Sequence, residues 1–276
     1  MRKFLNGPWV LLMPTLIILT CVVLLPLLLS LWTSFTPFKL TKPDTLYRFV
    51  GFRNYERLIG DLDFWIAFGR TVLFLAIALN LELVFGLGIA LLINKITYGQ
   101  RTLRTLMMFP MMFSPILVGF QWKYIFNDNI GLMNNFLREF GVIQPIPWLV
   151  DGILANVSIM AAEIWSSTSV FAILLLAGLL GIPKDPIEAA KVDGCNSWQV
   201  FKNITLPFLM PFVFIAMTIR SLDVARAYDI VQMMTGGGPA KRTELLWTLI
   251  SRTGYVDAKM GLSLIHISEP TRPYLI

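Results

Sequence analysis

Long runs of apolar residues alternate with polar connections along most of the chain. A run of about 20 apolar residues is long enough to cross the hydrocarbon core of a bilayer as a helix. Five such runs are present, and each predicts a membrane-spanning helix: 9–35, 65–94, 106–126, 153–180 and 207 to about 234. Pro110 and Pro115 fall inside the third run, where they are expected to kink the helix.

Composition agrees with a membrane protein. Hydrophobic residues make up 56% of the 276 residues and charged residues only 14%, with a mean hydropathy of +0.68. Soluble globular domains carry about 25% charged residues. We therefore predict an all-α, polytopic membrane helix bundle. The net charge of +6 comes from scattered Lys and Arg, which suits loops near anionic lipid headgroups and does not suggest nucleic acid.

One polar, charge-bearing segment, 183–207, separates the last two apolar runs. Its pattern predicts a helix, a turn at Asp193-Gly194 and a second helix that Ser197 could cap. Trp198 and Phe201 are three residues apart and are expected to share one face of that second helix. Pro207 is expected to mark the start of the fifth span. The alternative is an amphipathic loop lying on the membrane surface.

The spacing within this segment resembles the coupling loop of ABC importer permeases. That loop has the pattern EAA, three residues, G, nine residues, I-x-L-P, and this chain matches it at every position. The matching positions, with the adjoining turn residue, are Glu188, Ala189, Ala190, Asp193, Gly194, Ile204, Leu206 and Pro207. Cys195 stands where the family usually has Ala, and both are small. The resemblance implies that the loop lies in the cytoplasm and docks in a groove of an ATPase subunit.

Further stretches resemble the carbohydrate-type permeases of the same superfamily. They include YDIVQMMTGGGP at 228–239, which is similar to a signature that follows the fifth helix, and PWVLLMP near the start. The resemblance implies a transmembrane subunit of an ATP-driven, type I importer that forms half of the path for a sugar, polyol or sugar phosphate. It implies no catalytic residue, metal or bound cofactor in this chain, because ATP-Mg binds to partner subunits.

The same resemblance implies the partners and the cellular location. The partners would be a second homologous permease, two ATP-binding subunits, an extracytoplasmic solute-binding protein and membrane lipid. The chain would lie in the bacterial inner membrane. A basic start, Met1-Arg2-Lys3, and the short basic loop 95–104 favour a cytoplasmic N-terminus, although the full count of basic residues does not decide the orientation alone.

Ionisable and amide groups inside the apolar runs are costly in lipid and usually face the bundle or a polar path. They are Asn80, Glu82, Gln121, Lys123, Glu163, Arg220, Asp223, Arg226 and Asp229. We predict a substrate path that includes Glu163, Trp165, Asp223, Tyr228 and Asp229, with the aromatic rings as stacking faces. For the charges of the fifth run, which alternate in sign at intervals of three, mutual pairing is an equal alternative.

Two other classes of protein fit the sequence less well. A membrane enzyme is disfavoured because the sequence has no Walker A loop, no H-E-x-x-H and no G-x-S-x-G. A secondary carrier would use intramembrane charges for ion coupling but would not need an ATPase-docking loop. Vesicle transport that requires ATP rather than an ion gradient would distinguish the importer from the carrier.

The end of the chain departs from the six-helix plan that the resemblance implies. The permease domain is predicted to cover 1–263, where a sixth apolar helix is expected to continue. Residues 264–276 instead contain two prolines, a Glu and an Arg, which cannot continue a lipid-facing helix. This tail is interpreted as foreign to the gene, with the last helix truncated. The alternative is a natural tail on a five-helix variant.

Overall fold

The structure, a computed structural model, describes residues 8–141 and 144–263. Within those ranges the chain is all-α and has no strand. The predicted foreign tail at 264–276 lies outside the described residues.

Fourteen α-helices, α1 to α14, follow one another in the described ranges. In order they are Pro8–Leu19, Leu25–Ser34, Arg53–Ile59, Leu62–Lys95, Gln100–Met108, Pro115–Ile125, Leu132–Glu139, Gly152–Leu180, Lys184–Val192, Ser197–Val200, Leu206–Ala225, Asp229–Met234, Leu246–Ser251 and Met260–Ser263. Three π-helical segments (Thr20–Leu24, Phe201–Thr205, Arg252–Val256) and two 3₁₀ turns (Pro43–Tyr47, Pro110–Met112) join or extend them.

Four continuous helical stretches in the described chain are long and apolar enough to span a membrane. They are Leu12–Ser34, Leu62–Lys95, Gly152–Leu180 and Ser197–Ala225. The 34 residues of α4 extend over about 51 Å at 1.5 Å per residue, so this helix projects beyond a hydrocarbon core of about 30 Å. The predicted first, second and fourth spans are confirmed.

The predicted third span is broken rather than kinked. The chain bends by 90° between Gln100–Met112 and Pro115–Ile125. Pro110 lacks an N–H and opens a 3₁₀ turn, after which the backbone at Phe113 is extended. Ser114 then starts a new helix by accepting a hydrogen bond from the Leu117 N–H. Two prolines five residues apart therefore end one helix and begin another.

The prediction that the fifth span runs from Pro207 to about 234 is wrong at both ends. Helix starts at Ser197 and passes through the π-helical turn Phe201–Thr205 into α11 without a break. A widened π turn suits the position before Pro207, which has no N–H to donate and whose ring would crowd a tight turn. At the other end α11 stops at Ala225, and α12 is a separate short helix.

Residues 67–245 form one compact unit with a continuous apolar core. Its helices approach closely at glycines: a Cβ added to Gly86 of α4 would lie 2.5 Å from Phe171 Cβ on α8. In membrane proteins such small residues let helix backbones pack tightly, which compensates for the weak hydrophobic drive between helices in lipid.

Contacts within this unit give the relative directions of α4 and α8. Gly86 lies against Phe171, and earlier along both helices Glu82 and Glu163 bind the same guanidinium, that of Arg220. Because 82 precedes 86 as 163 precedes 171, the two helices run in the same direction. Their C-terminal ends therefore lie on the same side of the unit.

Helix α11 runs in the opposite direction to α8. Gly178, near the end of α8, lies against Phe212 near the start of α11, whereas Glu163 of α8 binds Arg220 near the end of α11. The segment 181–197 thus connects two antiparallel helices at the end of the unit where α4 also finishes.

The other unit combines residues 8–66 with residues 246–263. Asn54 of α3 is buried and donates from Nδ2 to the carbonyl oxygens of Ser34 and Thr36, at 2.8 Å each. Gly261 of α14 packs on the same turn and donates its N–H to Phe38 O at 3.0 Å. These bonds hold the end of α2 to α3 and α14.

Candidate functional site

A buried ion-pair cluster joins the three long helices of the 67–245 unit. The Arg220 guanidinium donates from Nε to Glu82 Oε2 (3.1 Å) and from Nη2 to Glu82 Oε1 (3.2 Å). It also donates to Glu163 Oε1 (2.8 Å) and to Asp223 Oδ2 (3.3 Å). One arginine on α11 therefore binds carboxylates from α4, from α8 and from its own helix.

The burial of the four side chains is graded. The Glu82 side chain is fully buried, those of Arg220 and Glu163 are 7% and 11% exposed, and that of Asp223 is 55% exposed. The fork of a guanidinium matches paired carboxylate oxygens, so the Arg220–Glu82 contact is of the strong bidentate type. The cluster places two carboxylates of the predicted path, Glu163 and Asp223, on the same arginine.

The predicted alternation of pairs along the fifth span is only part of this arrangement. The Arg220–Asp223 pair is present, but Arg220 bonds mainly to Glu82, 138 residues away in sequence. The sequence identified both Glu82 and Arg220 as intramembrane charges, but it did not predict that they pair. Two opposite charges buried in different spans were the available signal, but the sequence gives no distance between spans.

Trp165 lies apart from this cluster although it is only two residues from Glu163. Residues that are two positions apart on a helix are about 200° apart around its axis, so the side chains of Glu163 and Trp165 point to different sides of α8. Trp165 borders an open cavity of ≈ 450 Å³ whose other lining residues all come from α6: Phe120, Gln121, Trp122, Tyr124 and Ile125. The rings of Trp165 and Trp122 are 5.9 Å apart between centroids.

Tyr228 and Asp229, the last two predicted path residues, lie at the break between α11 and α12. Tyr228 precedes α12, and Asp229 is in its first turn. Helix α12 packs closely on α6, where a Cβ added to Gly119 would lie 2.8 Å from Met233 Cβ. Two broken helices therefore meet here, and interrupted helices are a common way to build transport sites.

The predicted coupling segment forms the expected helix, turn and helix. Helix α9 carries Glu188, Ala189 and Ala190, and Gly194 follows with φ +81°. Only glycine adopts this left-handed conformation without strain, which explains its place in the turn. A Cβ added to Gly194 would meet nothing within 4 Å.

Details of the second half of the segment differ from the prediction. The capping residue is Asn196 and not Ser197: its side chain accepts from the Gln199 N–H, and the Gln199 side chain accepts from the Asn196 N–H. This reciprocal pair of hydrogen bonds satisfies two backbone N–H groups, which a cap at Ser197 would leave without these partners. Ile204 belongs to a π turn, and Leu206 and Pro207 begin α11, so the loop is shorter than 183–207.

Large apolar side chains of this segment are open to the surroundings. Val192 is 87% exposed and Trp198 is 67% exposed. Trp198 and Phe201 stack with centroids 5.6 Å apart, which confirms the predicted shared face. Glu188 and Ala189 are also exposed. An exposed apolar surface at the end of a span is typical of a contact site for a partner.

The long apolar helices, the two broken helices and the exposed loop define a multi-pass membrane transport protein. Residues 82–265 match the family described as "Binding-protein-dependent transport system inner membrane component". The chain belongs to this family, and it is therefore a transport component rather than an enzyme.

Curated relatives extend the match to most of the chain. The trehalose/maltose transport system permease protein MalF of Thermococcus litoralis is 35% identical over 238 residues, 85% of this chain and 79% of that protein. The sulfoquinovosyl glycerol transport system permease protein SmoG of Agrobacterium fabrum is 33% identical over 256 residues, 92% of this chain and 82% of that protein.

A solved structure shares the fold. A chain from a bacterial ABC transporter involved in the import of the acidic polysaccharide alginate superposes with a TM-score of 0.81 at 21% identity. The match covers 96% of this chain and 91% of that chain. The architecture is thus that of an ABC importer permease.

Proposed function

We propose that this chain is the transmembrane subunit of an ATP-driven importer that forms half of the path for a sugar, polyol or sugar phosphate. The observation that carries the proposal is the exposed helix–turn–helix at 184–200, which has the EAA spacing and an open apolar surface. The names of the two curated relatives, which refer to trehalose/maltose and to sulfoquinovosyl glycerol, support the proposed substrate class.

The coupling loop is proposed to dock in a groove of an ATP-binding subunit in the cytoplasm. Glu188, Ala189 and Ala190 would face that subunit, with Asp193-Gly194 at the turn. Closure of two ATP-binding subunits, which hold ATP and Mg²⁺, would then move α9 and, through the continuous helix that starts at Ser197, also α11. A rigid connection of this kind transmits motion to the spans as alternating access.

The assembly is proposed to contain a second homologous permease and an extracytoplasmic solute-binding protein. Placing the coupling loop inside puts the C-terminal ends of α4 and α8 in the cytoplasm. One span, Leu12–Ser34, precedes α4 in the chain. The N-terminus would then also lie inside, in agreement with its basic residues. The chain would be a multi-pass protein of a bacterial inner membrane.

The substrate path is proposed to run past the two helix breaks. Trp165 would supply an apolar ring face for the C–H surface of a sugar ring, and Gln121 also lines the cavity beside it. Glu163, Asp223, Tyr228 and Asp229 would bind hydroxyl groups. Asp223 is the best placed carboxylate of the buried cluster for this role because its side chain is 55% exposed.

Variants of Gly194 test the docking proposal. Because a side chain at Gly194 has room within this chain, Gly194→Trp should assemble in the membrane and yet uncouple ATP hydrolysis from uptake by clashing with the partner. Gly194→Ala carries the same backbone strain, roughly 1–2 kcal/mol, without the bulk and should retain most uptake. Wild-type coupling in Gly194→Trp would refute the docking site.

Variants of the path test the substrate proposal separately. Trp165→Ala and Asp223→Asn should raise the substrate concentration needed for half-maximal uptake while membrane abundance stays unchanged. Trp32→Ala provides a control, since Trp32 is similarly exposed (48% against 38%) but belongs to the other unit. A fall in uptake that only tracks abundance would assign these residues to structure. The same comparison of uptake with membrane abundance for Glu163→Ala distinguishes a role of Glu163 in the path from a structural role in the ion pair.

A further inference from the structure

Three basic side chains occur within ten residues at the end of α4 and on α5: Lys95, Arg101 and Arg104. The sequence contains no Asp or Glu from residue 83 to residue 127. Among the described residues none of the three forms an ion pair, and Arg104 Nε is buried without a hydrogen-bond partner. A cluster of cations that has no ion-pair partner in the described part of the chain attracts anions from outside.

Helix α5 carries this charge on one side only. At about 100° per residue, Arg101, Arg104 and Thr105 share one face, while Leu103 and Leu106 lie on the opposite face. Leu106 is 62% exposed, so that face is not covered by the rest of the described chain. Short helices with one basic and one apolar face are typical of the interface between headgroups and acyl chains.

Two hydrogen bonds fix the helix in place. Gln100 Nε2 donates to Ile93 O at 3.0 Å and ties the start of α5 to the end of α4. Ser169 Oγ on α8 donates to Met107 O at 2.5 Å and ties the other end to a long span. The basic and apolar faces therefore have defined directions, and they do not belong to a loose loop.

The position of α5 relative to the bilayer follows from its neighbours. The chain bends by 90° between Gln100–Met112 and Pro115–Ile125, so the two parts cannot both run along the bilayer normal. The nine residues of α5 extend only about 14 Å, which is too short to span. It follows directly on α4, whose end lies on the same side as the coupling segment.

We propose that Lys95, Arg101 and Arg104 bind the phosphate of an anionic phospholipid in the cytoplasmic leaflet. The two guanidinium groups supply fork-shaped donors that match phosphate oxygens. Leu103 and Leu106 contact the acyl chains on the other side of the helix. The choice of leaflet rests on the proposed orientation of the coupling loop, whereas the phosphate chemistry does not.

Lipid selectivity of the assembled transporter in nanodiscs tests the site. Spin-labelled phosphatidylglycerol and phosphatidylcholine are compared as probes of motionally restricted lipid. The wild type should prefer phosphatidylglycerol, and Arg101→Gln and Arg104→Gln should each lower its relative affinity at this site about fivefold, the factor equivalent to about 1 kcal/mol per basic residue near the surface. Arg101→Lys with Arg104→Lys should keep most of the preference.

Arg138→Gln on α7 is the matched control, because Arg138 is exposed and lies beyond the other end of α6. It should leave the preference unchanged. Equal effects of the Arg138 and Arg104 variants, or no preference in the wild type, would overturn the lipid site. The lipid site would also be overturned if Arg101→Gln/Arg104→Gln lost ATPase activity to the same extent in purely neutral lipid as in lipid that contains phosphatidylglycerol. That result would indicate a contact with protein instead.

The two proposals can fail independently. A preference for phosphatidylglycerol that depends on Arg101 and Arg104, in a complex that hydrolyses ATP without uptake, would support the lipid site and contradict the proposed transport function. Normal ATP-driven uptake without lipid preference would do the reverse.

Discussion

Arg220 offers the sharpest test of how the spans of the 67–245 unit are held together. Replacing it with Met removes four hydrogen bonds to carboxylates and leaves Glu82, whose side chain is completely buried, without a cation. Breaking a buried ion pair by removing one partner typically costs about 3–5 kcal/mol. We expect Arg220→Met to reduce the free energy of unfolding by this amount.

The magnitude should depend on which partner is removed. Glu82→Gln keeps the shape and leaves Arg220 paired with Glu163 and Asp223, so we expect a smaller loss, roughly 1–2 kcal/mol. The double variant Glu82→Gln/Arg220→Met has no carboxylate at position 82 that would need a cation. Its free energy of unfolding should therefore fall by less than the sum of the two single losses, the difference being at least about 1 kcal/mol.

Reversible unfolding in mixed detergent and SDS micelles measures these differences. Arg220→Lys retains the charge but not the planar fork, and it should fall between the wild type and Arg220→Met. Arg138→Met, at an exposed position, should change stability by less than about 0.5 kcal/mol. Additive effects of the Glu82 and Arg220 variants, or an Arg220→Met loss no larger than that of Arg138→Met, would refute the proposed cluster energetics.

Three further predictions concern packing, the connection after α6 and a helix cap. Gly86→Leu should destabilise by about 3 kcal/mol because its Cβ would overlap Phe171, whereas Gly88→Leu, where a Cβ meets nothing within 4 Å, should be tolerated; thermal melts compare them. Asn134→Ala removes bonds that include Trp148 Nε1 to Oδ1 (2.9 Å) and should cost roughly 1–3 kcal/mol, seen as faster hydrogen exchange at 128–148 and absent for the exposed Asn135→Ala. The N–H groups of Leu154 and Ile153 hold the pKa of Asp151 below its usual value, so its stabilising effect is present above about pH 3.9 and disappears as the pH falls through the lowered pKa. Asp151→Asn should flatten the acid side of the melting-temperature profile, and an unchanged profile would contradict this role.

The sequence predicted most of the fold because lipid allows few arrangements of the backbone. A run such as 65–94 can cross the bilayer only as a helix, which satisfies its backbone hydrogen bonds internally. Length and composition were therefore sufficient to predict that span. They were insufficient at Pro110 and Pro115, since a proline produces either a kink or a full break depending on the packing around it. The prediction that Pro207 starts the fifth span was wrong for a similar reason. The helix starts earlier, at Ser197, and continues through a π turn, which has no clear sequence signal, into the part that contains Pro207.

The candidate site divides in the same way. The helix–turn–helix at 184–200 was predictable because its turn, small residues and spacing are local in sequence, whereas its capping residue and the start of the fifth span were misassigned. The Arg220–Glu82 contact depends on how α4 and α11 approach each other, and no local pattern encodes that distance. Trp165 borders a cavity, and its role in a substrate path stays a prediction. Its neighbour Trp122 was not predicted, because the position of that ring depends on the orientation of α6, which follows the break at Ser114.

Uptake by proteoliposomes tests the central claim most directly. The chain is reconstituted with a second permease, two ATP-binding subunits and a binding protein, and uptake of labelled carbohydrate is measured with ATP inside and no ion gradient, or with a gradient and no ATP. We expect uptake only with ATP, and we expect Gly194→Trp to abolish uptake while ATP hydrolysis continues. Uptake that follows an ion gradient without ATP would show that the chain belongs to a secondary carrier and not to an ATP-driven importer.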